Sequence, residues 1–283
     1  MPAPSSTRNL LWPQMHVPHS HSTILQKNTT EMTHETLIAV LEYMSSLLEV
    51  EFRGITVRLV AHGGACMLLH PGLYDLARRK QAYHIMRGEA AQVRKTTRDV
   101  DYIRRGFIQE YVGKFKILDA EQRLQRCILG TAARFGLGSD WMNADADVAL
   151  PMARSQTGTP IDPIYYSSTQ QNNVNLYTVF TSKNRKLTIV SVTPAWAVAF
   201  KLARYTKLDP PDICLLLING TKLAKTRWTL EVVWTWITKE CSAMGYAYWD
   251  QAILMQMRST PAEVWGPGQR LTRPKRCYQG PQV

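Results

Sequence analysis

The sequence has no acidic residue between Pro163 and Leu208, no C-x-x-C pair, and no apolar run near the length of a membrane helix. The first absence denies that whole span a strand carboxylate. The five cysteines, Cys66, Cys127, Cys214, Cys241 and Cys277, are scattered. That pattern excludes a zinc knuckle and predicts reduced thiols. A membrane helix needs about 20 apolar residues, so no membrane partner is predicted. Residues 1–34 mix Pro, Ser, His and Asn without the apolar segment of a secretion signal. These absences predict a soluble, cytoplasmic protein.

Negative charge is also in short supply. The chain has 34 Lys/Arg against 22 Asp/Glu, a net charge of +12 over 283 residues. From Arg78 to Arg134 there are fourteen Lys/Arg and six Asp/Glu, and Arg270, Arg273, Lys275 and Arg276 follow near the end. Such a surface either attracts phosphates or serves as solubility charge on exposed helices. Otherwise the composition is that of a globular chain with a sizeable core.

Periodicity divides the chain. Residues 1–30 hold four prolines and no apolar pattern, which predicts a flexible tail. Leu37, Leu41, Met44 and Leu48 form one stripe of a helix starting near Thr33. Residues 55–61 read as a strand, Gly63-Gly64 as a turn, and 65–69 as the start of a helix. Val100–Ile103 is a second short strand. Asp119 caps a helix to Phe135 that stops at Gly136. Residues 138–175 are turn-rich. Leu176–Phe180 and Leu187–Val192 read as a hairpin.

Thr193-Pro194 opens a helix with a hydroxyl cap and Pro at the first position. Asp209-Pro210-Pro211-Asp212 opens another in the same way. Helices marked by Leu230–Cys241 and Trp249–Met257 follow. Trp228, Trp234, Trp236 and Trp249 are expected in the core of that helical part. The expected class is α+β: a tail (1–30), a mixed sheet with flanking helices (31–193), a C-terminal helical lobe (194–265) and a basic tail (266–283).

The segment Arg94-Lys95-Thr96-Thr97-Arg98-Asp99-Val100-Asp101-Tyr102 has the richest chemistry. Strand alternation puts Asp99 and Asp101 on one side, roughly 7 Å apart along the chain. Two such carboxylates suit a hard cation that retains waters and phosphate oxygens in its shell. Arg94, Lys95 and Arg98 flank them where phosphate charge would be compensated. A paired Asp is otherwise a solvated strand end. Gly63-Gly64, between a strand and a helix, either cradles a phosphate or makes a structural corner.

This order, strand–Gly-Gly–helix followed by an Arg/Lys-Thr-x-Asp-h-Asp strand, resembles the nucleotidyltransferase superfamily. It is closest to the abortive-infection toxins and related nucleotidyltransferase-like proteins. Lys201 in the helix after Thr193, then Asp209 and Asp212, resembles that family's later motifs. The resemblance covers roughly residues 37–218. It implies that Gly63, Gly64 and Arg98 hold the nucleotide and that Asp99 and Asp101 bind Mg²⁺. It also implies that Lys201 neutralises phosphate and that Asp212, or Asp209, positions metal or acceptor.

Lys201 also reads as a snorkelling core neighbour, and Asp209 as a helix cap. The sequence departs from the family by having no strand carboxylate after Pro163 and no serine in the glycine turn. The implied activity is Mg²⁺-dependent transfer of a nucleoside monophosphate from an NTP to an acceptor hydroxyl, with RNA as one possible acceptor. The alternative is a catalytically degenerate nucleotide- or RNA-binding module, or a pathway accessory protein on the same fold.

Overall fold

The computed structural model describes residues 27–86, 93–155, 157–206, 208–224, 230–244 and 255. Strand β1 (Met32–Thr33) leads into helix α1 (His34–Glu51). The Thr33 hydroxyl accepts from the Thr36 amide at 3.3 Å, an N-cap bond. Leu37, Leu41, Met44 and Leu48 are fully buried along α1, with Val40 beside them.

Strand β2 (Val57–His62) follows, then helices α2 (Gly63–Leu69) and α3 (Pro71–Met86). Strands β3 (Thr96–Thr97) and β4 (Val100–Tyr102) precede helices α4 (Arg104–Gly113) and α5 (Ala120–Phe135). Helix α5 ends at Gly136, whose φ of 64° is left-handed, the conformation glycine adopts at least cost. Asp119 makes no cap bond there and instead pairs with Arg123 at 2.8 Å.

The turn-rich segment is more ordered than its sequence implies. It holds β5 (Met142–Asn143), a 3-10 helix (Asp145–Ala149), and the hairpin of β6 (Ala153–Arg154) with β7 (Pro160–Ile161). Helices α6 (Pro163–Ser168) and α7 (Gln171–Tyr177) follow. The cap of α6 is Asp162, which accepts from Ile164 and Tyr165 amides at 3.0 and 2.9 Å. Strand β5 joins the segment to the sheet by pairing with β4, and one residue ties its later part to α4. Arg105 donates its amide to Asp147, and its guanidinium to Asp162 and to the carbonyl of Leu150.

The expected hairpin forms from β8 (Thr178–Thr181) and β9 (Leu187–Ser191). Its first strand starts two residues later than expected, because α7 runs through the exposed Leu176 to Tyr177. Helices α8 (Pro194–Arg204), α9 (Asp209–Ala224) and α10 (Leu230–Glu240) and a 3-10 turn (Ser242–Met244) complete the described chain.

The principal sheet has the order β5-β4-β2-β9-β8. Strand β2 is central, parallel to β9 and antiparallel to β4. It is therefore covered on both faces, which explains its run Leu59-Val60-Ala61, all buried. Because β2 and β9 are parallel, both end at the same edge, and α2 and α8 both start there. Because β4 is antiparallel, Asp101 comes to that edge too, opposite His62.

The buried apolar cluster runs without interruption from Met32 to Cys241 and includes Ile213, Leu217, Val233 and Ile237 of the helical part. Trp234 and Trp236 pack against it half-buried; Trp228 and Trp249 lie outside the described residues, as do the tail 1–26 and the basic tail 266–283. Cys66, Cys127, Cys214 and Cys241 are buried and form no disulfide. No helix among the described residues is long and apolar enough to cross a membrane.

Candidate functional site

Strand β2 ends in a corner onto which neighbouring side chains close, and its first residue needs glycine. Gly63 has φ +76°, and a Cβ there would lie 2.6 Å from the Asp101 carboxylate oxygen Oδ2. A Cβ on Gly64 would lie 2.7 Å from Nη1 of Arg94 and 2.9 Å from the Thr97 hydroxyl. The glycine pair is thus a contact surface, with Asp101 against its first member and Arg94 against its second. Asp101 Oδ2 is also 3.9 Å from His62 Nδ1, beyond hydrogen-bond range.

Asp99 precedes β4 and alternates with Asp101: both are partly exposed while Val100 and Tyr102 are buried. The Thr97 hydroxyl bonds the Asp99 carbonyl at 3.1 Å and lies 3.4 Å from its carboxylate. Burial, with the Asp99 carboxylate next in weight, pushes Asp101 up to about 7. Arg204 and Lys201 oppose that rise without cancelling it. Burial, with Arg204 and Lys201 nearby, depresses His62 to about 4. Two carboxylates that resist joint ionisation are suited to a shared cation. Among the described residues no group of three or more His, Cys, Asp and Glu stands ready for a metal. A cation held by Asp99 and Asp101 would therefore complete its shell with water and ligand oxygens.

Lys201, Asp209 and Asp212 come together, but chiefly with one another. The Lys201 ammonium lies 2.7 Å from Asp212 and 3.3 Å from Asp209. Asp212 also accepts from Arg94 at 2.9 and 3.1 Å. Asp209 accepts two bonds from Arg204, each 3.0 Å. Lys201 is 3% exposed and both aspartates are fully buried. The snorkelling reading of Lys201 is thereby corrected: its charged head is as buried as its stem, because two carboxylates receive it.

The cap reading of Asp209 is corrected as well. Its carboxylate turns back to accept from the Thr206 amide and hydroxyl at 2.7 and 2.8 Å, the acidic half of a capping box. Burial raises its pKa, but Arg204, Lys201 and Thr206 outweigh burial and hold it well below the carboxylate range. Three cations and two carboxylates make up this network, so one positive charge remains beside Asp101. One atom is left over: Asp212 Oδ1 is buried without a hydrogen-bond partner.

Arg98 is exposed and is not among the side chains nearest to the Cβ positions of Gly63 and Gly64. Arg94 takes that place. The sequence offered no way to choose between them, since both flank the acidic pair.

Next to the corner lies a cavity of about 550 Å³. His62, Gly63, Met67, Phe200, Lys201 and Arg204 are among its walls, and most of the remaining lining is apolar. Neither Asp99 nor Asp101 lines it. Comparison with family models, with curated proteins and with solved structures finds no match.

Proposed function

We propose that the protein is a Mg²⁺-dependent nucleotidyltransferase that moves a nucleoside monophosphate from an NTP to an acceptor hydroxyl. One observation supports this above the others. A carboxylate with its pKa raised to about 7 stands beside a second acid and presses on a glycine corner where a Cβ would not fit. Asp99 and Asp101 would hold Mg²⁺, which when bound withdraws charge from the phosphate oxygens and orients them. Gly63 and Gly64 let Asp101 and Arg94 close onto the backbone, which would bring a carboxylate and a guanidinium to the phosphates together. Arg94 presents Nη1 at the same corner, anchored through its other nitrogens on Asp212. Lys201 and Arg204 contribute positive potential from behind and keep their own partners.

In the reaction the acceptor oxygen bonds to the α-phosphorus, the α–β bridging bond breaks, and pyrophosphate leaves with the electron pair. The acceptor proton passes to solvent or to a carboxylate of the pair. The protein's contribution is positioning and charge stabilisation. RNA is one acceptor compatible with the basic surface. With radiolabelled NTP and Mg²⁺, Asp99→Ala and Asp101→Ala are each expected to abolish transfer. Full transfer by either variant would remove that residue from the metal site.

A second reading is a catalytically degenerate nucleotide- or RNA-binding module. The mutual pairing of Lys201, Asp209 and Asp212 favours it, as does the lack of acids from Pro163 to Leu208. On that reading Mg²⁺ leaves NTP affinity unchanged, no label is transferred, and RNA affinity falls steeply with salt.

A further inference from the structure

We propose that the cavity beside Gly63 binds an apolar monocarboxylate, of the kind of a medium-chain fatty acid, with its hydrocarbon body between α2, α8 and α9 and its acid group on Arg204. The ligand is distinct from the nucleotide, and the site holds whether or not transfer occurs. A volume of about 550 Å³ is within the range of small-molecule sites. Met67 of α2, Leu73 of α3, Phe200 of α8 and Leu216 of α9 supply apolar walls, and alanines on α8 and on the 3-10 helix leave the space open. Water in such walls gains few bonds, so a hydrocarbon that displaces it is favoured in proportion to the area covered.

The charge of the lining decides what the hydrocarbon must carry. Lys201 and Arg204 line the cavity, and among the described residues no carboxylate does. Lys201 is received by Asp209 and Asp212. Arg204 is different: its Nε and Nη2 fork onto Asp209, its side chain is 49% exposed, and Nη1 has no partner among the described residues. One edge of the guanidinium is thus spent on fixing its position and the other stays open to a second carboxylate, which it can meet with two bonds. An uncharged apolar ligand would cover that open edge without pairing it, at a cost. A polyphosphate is a poor match too. The network of Arg94, Lys201 and Arg204 with Asp209 and Asp212 has one positive charge in surplus, enough for a monoanion. The acids that would hold a metal for a polyphosphate, Asp99 and Asp101, do not line the cavity.

The test is calorimetry on the full chain with butanoate, hexanoate, octanoate and decanoate, and with decylamine as the cationic counterpart. Decanoate is expected to bind once per chain, and each added CH₂ along the series to tighten binding about fourfold. Decylamine is expected to bind about tenfold or more weakly than decanoate, because it sets a cation against Arg204. Arg204→Met is expected to weaken decanoate about tenfold or more and to erase its advantage over decylamine. Ala197→Phe on α8 and Ala146→Phe on the 3-10 helix fill the cavity from two walls, and each is expected to abolish decanoate binding while circular dichroism stays that of the wild type. The length series on the wild type needs no variant to fold. Affinity independent of chain length, or equal for acid and amine, overturns the proposal. So does displacement of decanoate by a nucleoside, which would assign the cavity to a base and leave the transfer reading standing. Decanoate binding in a chain that transfers no label supports the pocket and counts against transfer alone.

Discussion

Gly63 combines a left-handed backbone with a carboxylate at the place where its Cβ would be. Gly63→Ala is therefore expected to cost about 1–2 kcal/mol in backbone strain and to displace Asp101, which urea unfolding and transfer assays would register together. Two titrating neighbours at the same corner have opposite signs. Asp101 is raised to about 7 in the fold, so the native state binds more protons than the unfolded chain between about 4 and 7. On its account stability falls as pH rises through that window. His62 is lowered to about 4, so the unfolded chain binds more protons between about 6.5 and 4. On its account stability rises with pH there.

Each contribution is of the order of 3 kcal/mol, and in the wild type they largely cancel. Asp101→Asn should unmask the rise and His62→Leu the fall, read as urea midpoints at pH 4.5 and 6.5. Parallel pH profiles for the two variants would show that these groups do not titrate as described.

At the scale of elements, α8 and α9 are joined through charge as well as through packing. Lys201 of α8 reaches Asp209 and Asp212 of α9, and Arg94, just ahead of β3, reaches the same Asp212. Removing one partner of a buried pair leaves an uncompensated charge and typically costs about 3–5 kcal/mol. Lys201→Met is expected in that range. Lys201→Met combined with Asp212→Asn is expected to cost clearly less than the sum of the single changes, because neither then strands the other. Additive costs would mean that the ion pair contributes no coupling.

The network also sets a pH floor. Asp209 is held well below its ordinary range, so its contribution is present above the unfolded carboxylate pKa and lost as pH falls through the folded one. Thr206→Val removes a hydroxyl donor from Asp209, and should make acid unfolding begin at higher pH than in the wild type. On the basic stretch, Arg104, Arg105, Arg123 and Arg126 of α4 and α5 are tied to Glu121, Asp147 with Asp162, Asp119 and Glu51. Part of the positive excess therefore serves to fasten elements together.

For the molecule as a whole, ligand linkage offers the plainest measurement. A nucleotide at about 100 times its Kd stabilises by about 2.7 kcal/mol, and for a chain of this size that raises Tm by about 5 °C. NTP and Mg²⁺ together should exceed either alone, and Asp101→Asn should erase the difference. A Tm indifferent to both would count against a nucleotide site.

What the sequence determined by itself was local. The α1 stripe and its start near Thr33, the stop at Gly136, the β8–β9 hairpin and the Asp99/Asp101 alternation all depend on neighbours within a few residues, where period and φ preference act. The same holds for the glycine pair ahead of α2. The tertiary structure alone decided which arginine meets that pair, since Arg94 and Arg98 differ only in what the folded chain brings to them. It decided that Lys201 is received by Asp209 and Asp212, a pairing across the turn between α8 and α9. It also brought His62 opposite Asp101 and enclosed the cavity between segments more than a hundred residues apart. Burial and charge pairing depend on what surrounds a residue in space, and spacing along the chain does not encode that.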